Sequence, residues 1–375
     1  MNPSDKNTVI TDTDRIYMSL ALEEAKKGIG RTSPNPCVGA VIVRDGVEIS
    51  RGYHQKAGTP HAEIHAINGA GDKAKGATMY VTLEPCNHTG KTPPCSHAVV
   101  QAGIKRIVVG MTDPNPLVSG SGIDYLRAHN VEVLSGVLEE ECRELNLPFL
   151  KHITSGLPYV ILKAGMSLDG KLSYQKGVPG KMTGPDSLNK SHKLRDSVDA
   201  ILIGIGTQLA DDPSLTTRLG DGGKDPLRIV LDSSLRIHPD AKILHLNSDA
   251  STLIICGDTA DTKKKERLSK IDNVYIKVID NDQSGHVDID SLLGFLGKQG
   301  ICSLLVEGGG KIHSSFLRQG AVDRVMLFVA PLFAGSAGNS LLENLSITER
   351  KTAPKLSNVH YVPCGDDLLV QGDLT

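Results

Sequence analysis

The sequence runs twice through alternating strand and helix patterns, and the alternation restarts once, at Ser155-Gly156-Leu157-Pro158. A sheet buries its apolar faces only against other layers, so each run must close its own helix-covered sheet. In the first run, 12–27 reads as an amphipathic helix, capped by Asp12 or Thr13 and stopped by Gly28. "CVGAVIVRDGVEISRGY" reads as a hairpin turning at Asp45-Gly46. A helix "HAEIHAINGAG", a strand "GATMYVTLEP", a helix "PPCSHAVVQAG" and a strand "IKRIVVGM" follow. After them come a helix "SGIDYLRAHN" and a strand "VEVLSG", and "LEEECRELNLPFLKHITSGLP" reads as one closing helix with a connector. The second run starts at "YVILKAGMSLDGKLS". Its buried-type strands are "AILIGIG", "LRIVLD", "TLIICG", "VYIKVI", "SLLVEGGG" and "DRVMLFVAP", and a C-terminal hairpin "VHYVPCGDDLLVQGDL" ends it. Helices are expected at "SLNKSHKLRDSV", "IDSLLGFLGKQG" and "KIHSSFLRQG". The break separates 1–154 from 155–375, two domains of ordinary size in 375 residues.

Composition narrows the function classes. Basic and acidic residues number 41 and 43, so charge gives no reason to expect a nucleic-acid or membrane-surface partner. Tryptophan is absent and aromatics are 3%, which argues against stacking on single-stranded nucleic acid. No apolar run approaches the length of a membrane span. The polar, acidic "MNPSDKNTVITDTD" lacks the regions of a signal peptide, and seven cysteines form no dense framework. A cytoplasmic enzyme with reduced thiols is the expectation.

"HAEIHA" and "EPCNHTGKTPPC" carry the most specific chemistry. His61, Cys86 and Cys95 supply three corners of a zinc tetrahedron, with the fourth left for water. Glu63 lies two residues beyond His61, in the same first helical turn, close enough to move that water's proton without being a ligand. H-x-E followed by P-C-x-x-C marks zinc deaminases. Here eight residues, not two, separate the cysteines. The competing reading is a closed structural site with His88 as fourth ligand.

Three features mark a second site. Lys163 and Ala164 are placed at a strand's end, where open α/β sheets face ligands, although a plain hairpin at Asp169-Gly170 also accounts for that stretch. "AILIGIGTQLADD" leads into a glycine turn at Gly204 and Gly206 that lacks the full dinucleotide fingerprint, so taken alone it reads first as a plain packing turn. "VEGGGKIH" runs from a strand through Gly308, Gly309 and Gly310 into a helix start, a natural pyrophosphate seat, with Glu307 ahead of it. After the strand ending at Asp232, the hydroxyl of Ser233 suits a 2′-phosphate; the neighbouring Ser234 and Arg236 belong to an ordinary polar turn.

The motifs "SPNPCVGAVIV", "HAEIHA", "EPCNHTGKTPPC", "SLDGK", "ADDPSLTTR" and "VEGGG" together resemble the bifunctional deaminase–reductases of riboflavin biosynthesis, across both domains. The resemblance implies an α/β chain with an N-terminal cytidine-deaminase-like three-layer sheet and a C-terminal sheet resembling dihydrofolate reductase. It implies zinc and NADPH as cofactors and a small phosphoribosylated pyrimidine as substrate. Zinc-bound hydroxide would replace the 2-amino group, with Glu63 ferrying the proton, and NADPH would then reduce the ribosyl group to ribityl. Asn35 would grip the pyrimidine or ribose, against the bland reading of an Asn-Pro turn. His54, His88 and Lys91 are candidates for the phosphate end. The resemblance also assigns cofactor contacts to Thr207 and Asp211, and substrate contacts to Arg195, Leu215, Arg218 and Glu307. A homo-oligomer, dimer or tetramer, is expected. Three other readings stay open on sequence: a nucleoside, nucleotide or tRNA-editing deaminase with an unrelated second domain, a protein with structural zinc whose second domain only binds nucleotide, and a chain with one domain active and the other degenerate.

Overall fold

Thr11 and Asp14 open the first helix in the computed structural model, which describes residues 9–88, 93–115, 120–220 and 222–375. Thr11 Oγ1 accepts the Asp14 N–H, and Asp14 Oδ2 accepts the Thr11 N–H, both at 3.1 Å. Two donors that a helix start leaves orphaned are thus satisfied reciprocally. The cap is Thr11, ahead of the expected Asp12 or Thr13, because its hydroxyl reaches the third helical residue while both aspartates sit inside the positive first turn.

The chain divides after Gly156 into two units. The first contains α1 (Asp12–Lys26), β1 (Gly39–Arg44), β2 (Val47–Tyr53), α2 (Ala62–Ala70), β3 (Thr78–Leu83), α3 (Cys95–Gln101), β4 (Arg106–Met111), α4 (Ser121–Ala128), β5 (Glu132–Ser135), α5 (Glu139–Leu145) and α6 (Leu147–Ser155). Its sheet has the order β2-β1-β3-β4-β5. The β2-β1-β3 pairings are antiparallel and β3-β4-β5 are parallel. β1 and β3 are apolar runs buried along almost their whole length, which requires cover on both faces. Met18 of α1, Ile42, Met79, Ile107 and Leu126 are fully buried in that core. Helix α2 seats directly on β2 at Gly52, where a Cβ would lie 2.5 Å from the Ala62 carbonyl oxygen. Any side chain there would push out the helix whose start bears His61 and Glu63.

The stretch read as one closing helix is two, broken at Asn146 (φ −112°, ψ 15°). Pro148 lacks an N–H, and its ring would clash with the carbonyl of Glu144 in a continuous helix.

The second unit contains β6 (Tyr159–Ser167), α7 (Pro185–Ser197), β7 (Ala200–Gly204), α8 (Ile205–Asp211), β8 (Leu227–Leu231), β9 (Thr252–Cys256), α9 (Thr262–Leu268), β10 (Val274–Val278), α10 (Ile289–Lys298), β11 (Ser303–Val306), α11 (Gly310–Arg318), β12 (Arg324–Ala330), β13 (Leu356–Cys364) and β14 (Asp367–Leu374). The nine strands run β10-β9-β8-β7-β11-β6-β12-β14-β13, parallel as far as β12 and antiparallel beyond it. From β7 the chain steps outward to β8, whereas from β11 it crosses β6 to β12. The carboxyl ends of β7 and β11 therefore flank a topological switch point, where open α/β sheets bind ligands. Among the described residues no helix is long and apolar enough to cross a membrane.

Lys163 and Ala164 lie inside β6 rather than at its end, since β6 continues to Ser167 alongside β12. The neighbouring β11 stops at Val306, opposite Leu162. That short strand opens a notch beside Lys163. The glycine turn expected after β7 is a single residue, Gly204, from which α8 starts at once. Helix α9, "TKKKERL", has no apolar stripe and was not legible as a helix.

Burial alone would raise the Asp14 carboxyl, but hydrogen bonds from Arg106 and Thr11 bring it down to about 2. Arg106 Nη1 and Nη2 reach its two oxygens at 2.8 and 3.3 Å. Because the folded pKa is depressed, this contribution, about 2 kcal/mol, is present above pH ~4 and lost as the pH falls toward 2. Asp14→Asn should lower stability near pH 7 by about 3 kcal/mol, since it leaves the Arg106 charge facing a neutral amide. Urea denaturation of the full chain should show a lower midpoint and a flatter acid limb than the parent.

Candidate active sites

Two helices start at one point in the first unit. His61 is the residue before α2, in extended conformation, so its ring projects from the helix start. Cys95 is the first residue of α3, and its backbone N–H points at Cys86 Sγ, 3.4 Å away. His61 Nδ1 lies 3.3 Å from Cys95 Sγ and 3.7 Å from Cys86 Sγ. All three ligand atoms fall within 4.8 Å of one another. Zinc bonds of about 2.3 Å to sulfur and 2.0–2.1 Å to nitrogen would place tetrahedral N and S atoms roughly 3.6 Å apart. The donor set and its spacing therefore fit zinc at three corners. His88 is exposed and lies outside this cluster, and the structure does not describe Lys91.

The two sulfurs share protons unequally. A hydrogen bond from Cys95 and another from His61 draw the Cys86 thiol down, while the bond to Cys86 and burial push Cys95 up. The hydrogen bond with Cys86 raises His61 in turn. Helix starts favour thiolate here, and a dication would remove the remaining thiol proton.

Glu63 is 3% exposed in the first turn of α2. Burial pushes its carboxyl up to about 7. A bound dication would pull it back down. A carboxylate so placed is poised to exchange a proton near neutral pH.

Around the cluster, His54 is buried and packs edge-on against the His61 ring, centroids 5.3 Å apart. Burial holds its pKa below the usual imidazole range. Its Nε2 meets the Asn35 amide nitrogen at 3.1 Å, and its Nδ1 meets the Pro60 carbonyl at 3.2 Å. One tautomer satisfies both: the Asn35 amide donates to Nε2, and Nδ1–H donates to Pro60. Asn35 thus sits two contacts from the metal cluster.

Sequence reading missed Glu84. It is buried immediately after β3, two residues before Cys86. Its oxygens accept the N–H groups of Asp113, Gly120, Gly122 and Ile123 at 2.9–3.2 Å. Asn87 donates to the Ser121 carbonyl at 3.1 Å. Cys86 is therefore fastened on both sides to the start of α4. The only available signal was a glutamate at a strand end, where a buried acid needs local donors.

In the second unit Glu307 follows the short β11, level with Lys163 across the notch. Arg195 grips it with Nε and Nη2 at 3.0 and 2.7 Å, and Lys163 Nζ stands 3.7 Å away. Burial would raise Glu307, but the charges of Lys163 and Arg195 bring it down to about 2. Burial lowers Lys163, and Glu307 partly offsets that. Arg195 also donates to the Thr216 carbonyl, so its fork is occupied by protein. Arg218 is exposed, 3.4 Å from Thr216 Oγ1. Leu215 is buried between them in sequence, at φ 53°, a conformation that costs a non-glycine residue about 1 kcal/mol.

The three glycines after Glu307 serve different ends. A Cβ at Gly308 would meet the Ile312 side chain at 2.6 Å, and one at Gly310 would meet the Ser340 carbonyl at 2.4 Å. Gly309 caps α11 without any side-chain bond, leaving the helix start open to an anion. A Cβ there would sit 3.5 Å from Thr207 Oγ1, so the starts of α8 and α11 adjoin. Asp211 is exposed at the end of α8, on the far turn from Thr207. Ser233 is half-buried past β8, and its Oγ accepts the Val287 N–H at 3.3 Å, leaving its proton to donate. Two buried histidines went unread: His192 on α7, near Arg195 in charge, and His313 on α11, which burial holds down to about 4. Each has one ring nitrogen without a partner among the described residues.

Comparison with known proteins places each unit in a family. Residues 11–111 match the cytidine and deoxycytidylate deaminase zinc-binding region, and 158–370 match the RibD C-terminal domain. The riboflavin biosynthesis protein RibD of Aquifex aeolicus is 42% identical over 365 residues, covering 96% of this chain and 99% of that protein. The Escherichia coli RibD is 38% identical over 363 residues, covering 93% and 96%. The Acinetobacter baumannii RibD structure, form 1, superposes with a TM-score of 0.86 at 34% identity, covering 97% of this chain and 99% of its own. The Thermotoga maritima diaminohydroxyphosphoribosylaminopyrimidine deaminase/5-amino-6-(5-phosphoribosylamino)uracil reductase does so at 0.81 and 35%, with the same coverage. With a zinc-fitting donor set in one unit and a charged notch at the switch point of the other, the chain belongs to the bifunctional deaminase–reductases of riboflavin biosynthesis, with zinc and NADPH as cofactors.

Proposed function

We propose that residues 1–154 deaminate 2,5-diamino-6-(5-phosphoribosylamino)pyrimidin-4(3H)-one and that 155–375 reduce the product to 5-amino-6-(5-phosphoribitylamino)uracil. The convergence of His61, Cys86 and Cys95 beside a buried Glu63 carries the first half of this reading. Bound there, zinc supplies a Lewis acid that makes water nucleophilic near neutral pH. Glu63 carries one proton of the attacking water to the ring nitrogen as the C–O bond forms, then the second, from the hydroxyl on the tetrahedral carbon, to the amino group as the C–N bond breaks and ammonia leaves. Asn35 holds the pyrimidine through its donor and acceptor, and His54 holds Asn35. His88 and Lys91 serve the phosphate end.

In the second half NADPH, when bound, supplies hydride. The open start of α11 at Gly308, Gly309 and Gly310 takes its pyrophosphate, Thr207 and Asp211 line the same side, and Ser233 donates to the 2′-phosphate. Ala164 flanks the nicotinamide from β6. Arg218 takes the substrate phosphate, whereas Arg195 fixes Glu307, which accepts from the pyrimidine; Leu215 packs against the ligand. Hydride arrival at C1′ breaks the C1′–O4′ bond, so a proton must reach O4′. Lys163 is placed to give it: burial makes it a better acid, and Glu307 keeps it charged until needed. A cytoplasmic homo-oligomer, dimer or tetramer, completes the reading. It draws on the edge strand β13, which leaves Tyr361 68% exposed.

Glu63→Gln should keep stoichiometric zinc and lose deamination by at least about 10³-fold, while reduction of supplied deaminated intermediate continues. Near-parental deamination would refute the assigned proton carrier. Lys163→Met should slow NADPH oxidation by at least about 10²-fold and leave deamination intact. Reduction by the parent should decline as pH rises through the lowered Lys163 pKa. Glu307→Gln removes the anion that holds the Lys163 proton, so the decline should move to lower pH. A limb that stays in place, followed by nicotinamide absorbance, would exclude Lys163 as the acid.

A further inference from the structure

The break between α5 and α6 does more than end a helix. Asn146 sits in it, 2% exposed, and reaches back 109 positions to the segment that leads into β1. Its Oδ1 accepts the Cys37 N–H at 2.8 Å, and its Nδ2 donates to the Cys37 carbonyl at 3.0 Å. The same Nδ2 donates to the Cys142 carbonyl at 3.2 Å, one turn earlier on α5. A primary amide is suited to this double contact because it offers a donor and an acceptor side by side, as a paired strand would. Aspartate accepts only.

The segment it grips is the one bearing Asn35. Cys37 is two residues on, the Val38 carbonyl accepts the His54 N–H at 2.9 Å, and the Gly39 N–H donates to Thr82 Oγ1 at 3.1 Å. Asn35 touches His54, and His54 packs on His61. A continuous set of contacts therefore runs from Asn146 through Cys37 and Asn35 to the ring beside the metal cluster. Nothing in it touches Glu63.

We infer that Asn146 is a positioning residue for deamination, fixing the 35–38 segment so that the Asn35 amide meets the pyrimidine at the right height. The inference rests on the reading that Asn35 grips the substrate. Its effect falls on substrate binding rather than on proton transfer, because the groups it orders lie on the binding side of the site.

The test uses full-length, zinc-loaded enzyme and compares Asn146→Ala, Asn146→Asp and Asn35→Ala in both activities. Each Asn146 variant should raise the deamination KM for the pyrimidine by about tenfold, with kcat within about threefold of the parent. Zinc stoichiometry and the reduction kcat should not move. Asn146→Asp should fare no better than alanine, since it turns two donors into repulsion at the Cys37 and Cys142 carbonyls. An unchanged KM in zinc-replete Asn146 variants, with KM raised in Asn35→Ala, overturns the inference alone. An unchanged KM in Asn35→Ala overturns the reading of Asn35 and the inference with it. Loss of zinc in both Asn146 variants makes the residue a structural brace and overturns it as well.

Discussion

A carboxylate buried at the end of a strand must find its partners on the spot, and both sites of this chain are organised around one. Stripping water from such a group costs several kcal/mol, so the fold around it is fixed by whatever repays that cost. After β3, Glu84 gathers four backbone N–H groups from 113–123. After β11, Glu307 gathers a guanidinium and an ammonium. In the first case the donors belong to a loop and helix start, and satisfying the acid locks the backbone that presents Cys86. In the second the donors are long side chains from β6 and α7, and satisfying the acid assembles a charged wall at the sheet's switch point.

The register of the strands decides which outcome follows. Because β11 ends opposite Leu162, the next residue, Glu307, is level with Lys163, which the neighbouring β6 and β12 hold within the sheet. In the first unit β3 ends beside β4, Leu83 opposite Met111, and Gly122 comes so near that a Cβ would lie 2.1 Å from the Pro85 carbonyl. The zinc-fitting cluster lies beside Glu84, where α2 and α3 begin.

Much of this was legible in the sequence. The strand–helix alternation fixed the α/β class, and the H-x-E spacing put His61 and Glu63 on one helical turn before any coordinates. Local patterns failed where tertiary contacts decide. Lys163 reads as a strand terminus because "GMSLDGK" looks like the start of a turn; only pairing with β12 shows that β6 continues. Two helices read as one at 139–155 because the apolar pattern continues through Pro148. Glu84, Asn146 and His192 were invisible as site residues, since each matters through partners 29 or more positions away or through burial that no spacing encodes. The three glycines read as one motif, yet Gly308 answers to Ile312 and Gly310 to Ser340, contacts made only in the folded unit.

Glu63, Glu84 and Glu307 stand in three electrostatic settings, and the settings separate their chemistry. Glu307 faces two cations, stays ionised down to a pH of about 2, and can only accept. Glu84 is saturated by amides, with its lone pairs committed to structure. At Glu63 burial outweighs the His61 charge and the hydrogen bonds from its own N–H and Cys95, and lifts the carboxyl to about 7. Environments that push like groups apart in this way mark acid–base assignments. Exchanging these surroundings would cost the chain a fold element, because the four amides that Glu84 gathers fasten a loop and the two cations at Glu307 form a wall of the second site, and neither set faces Glu63.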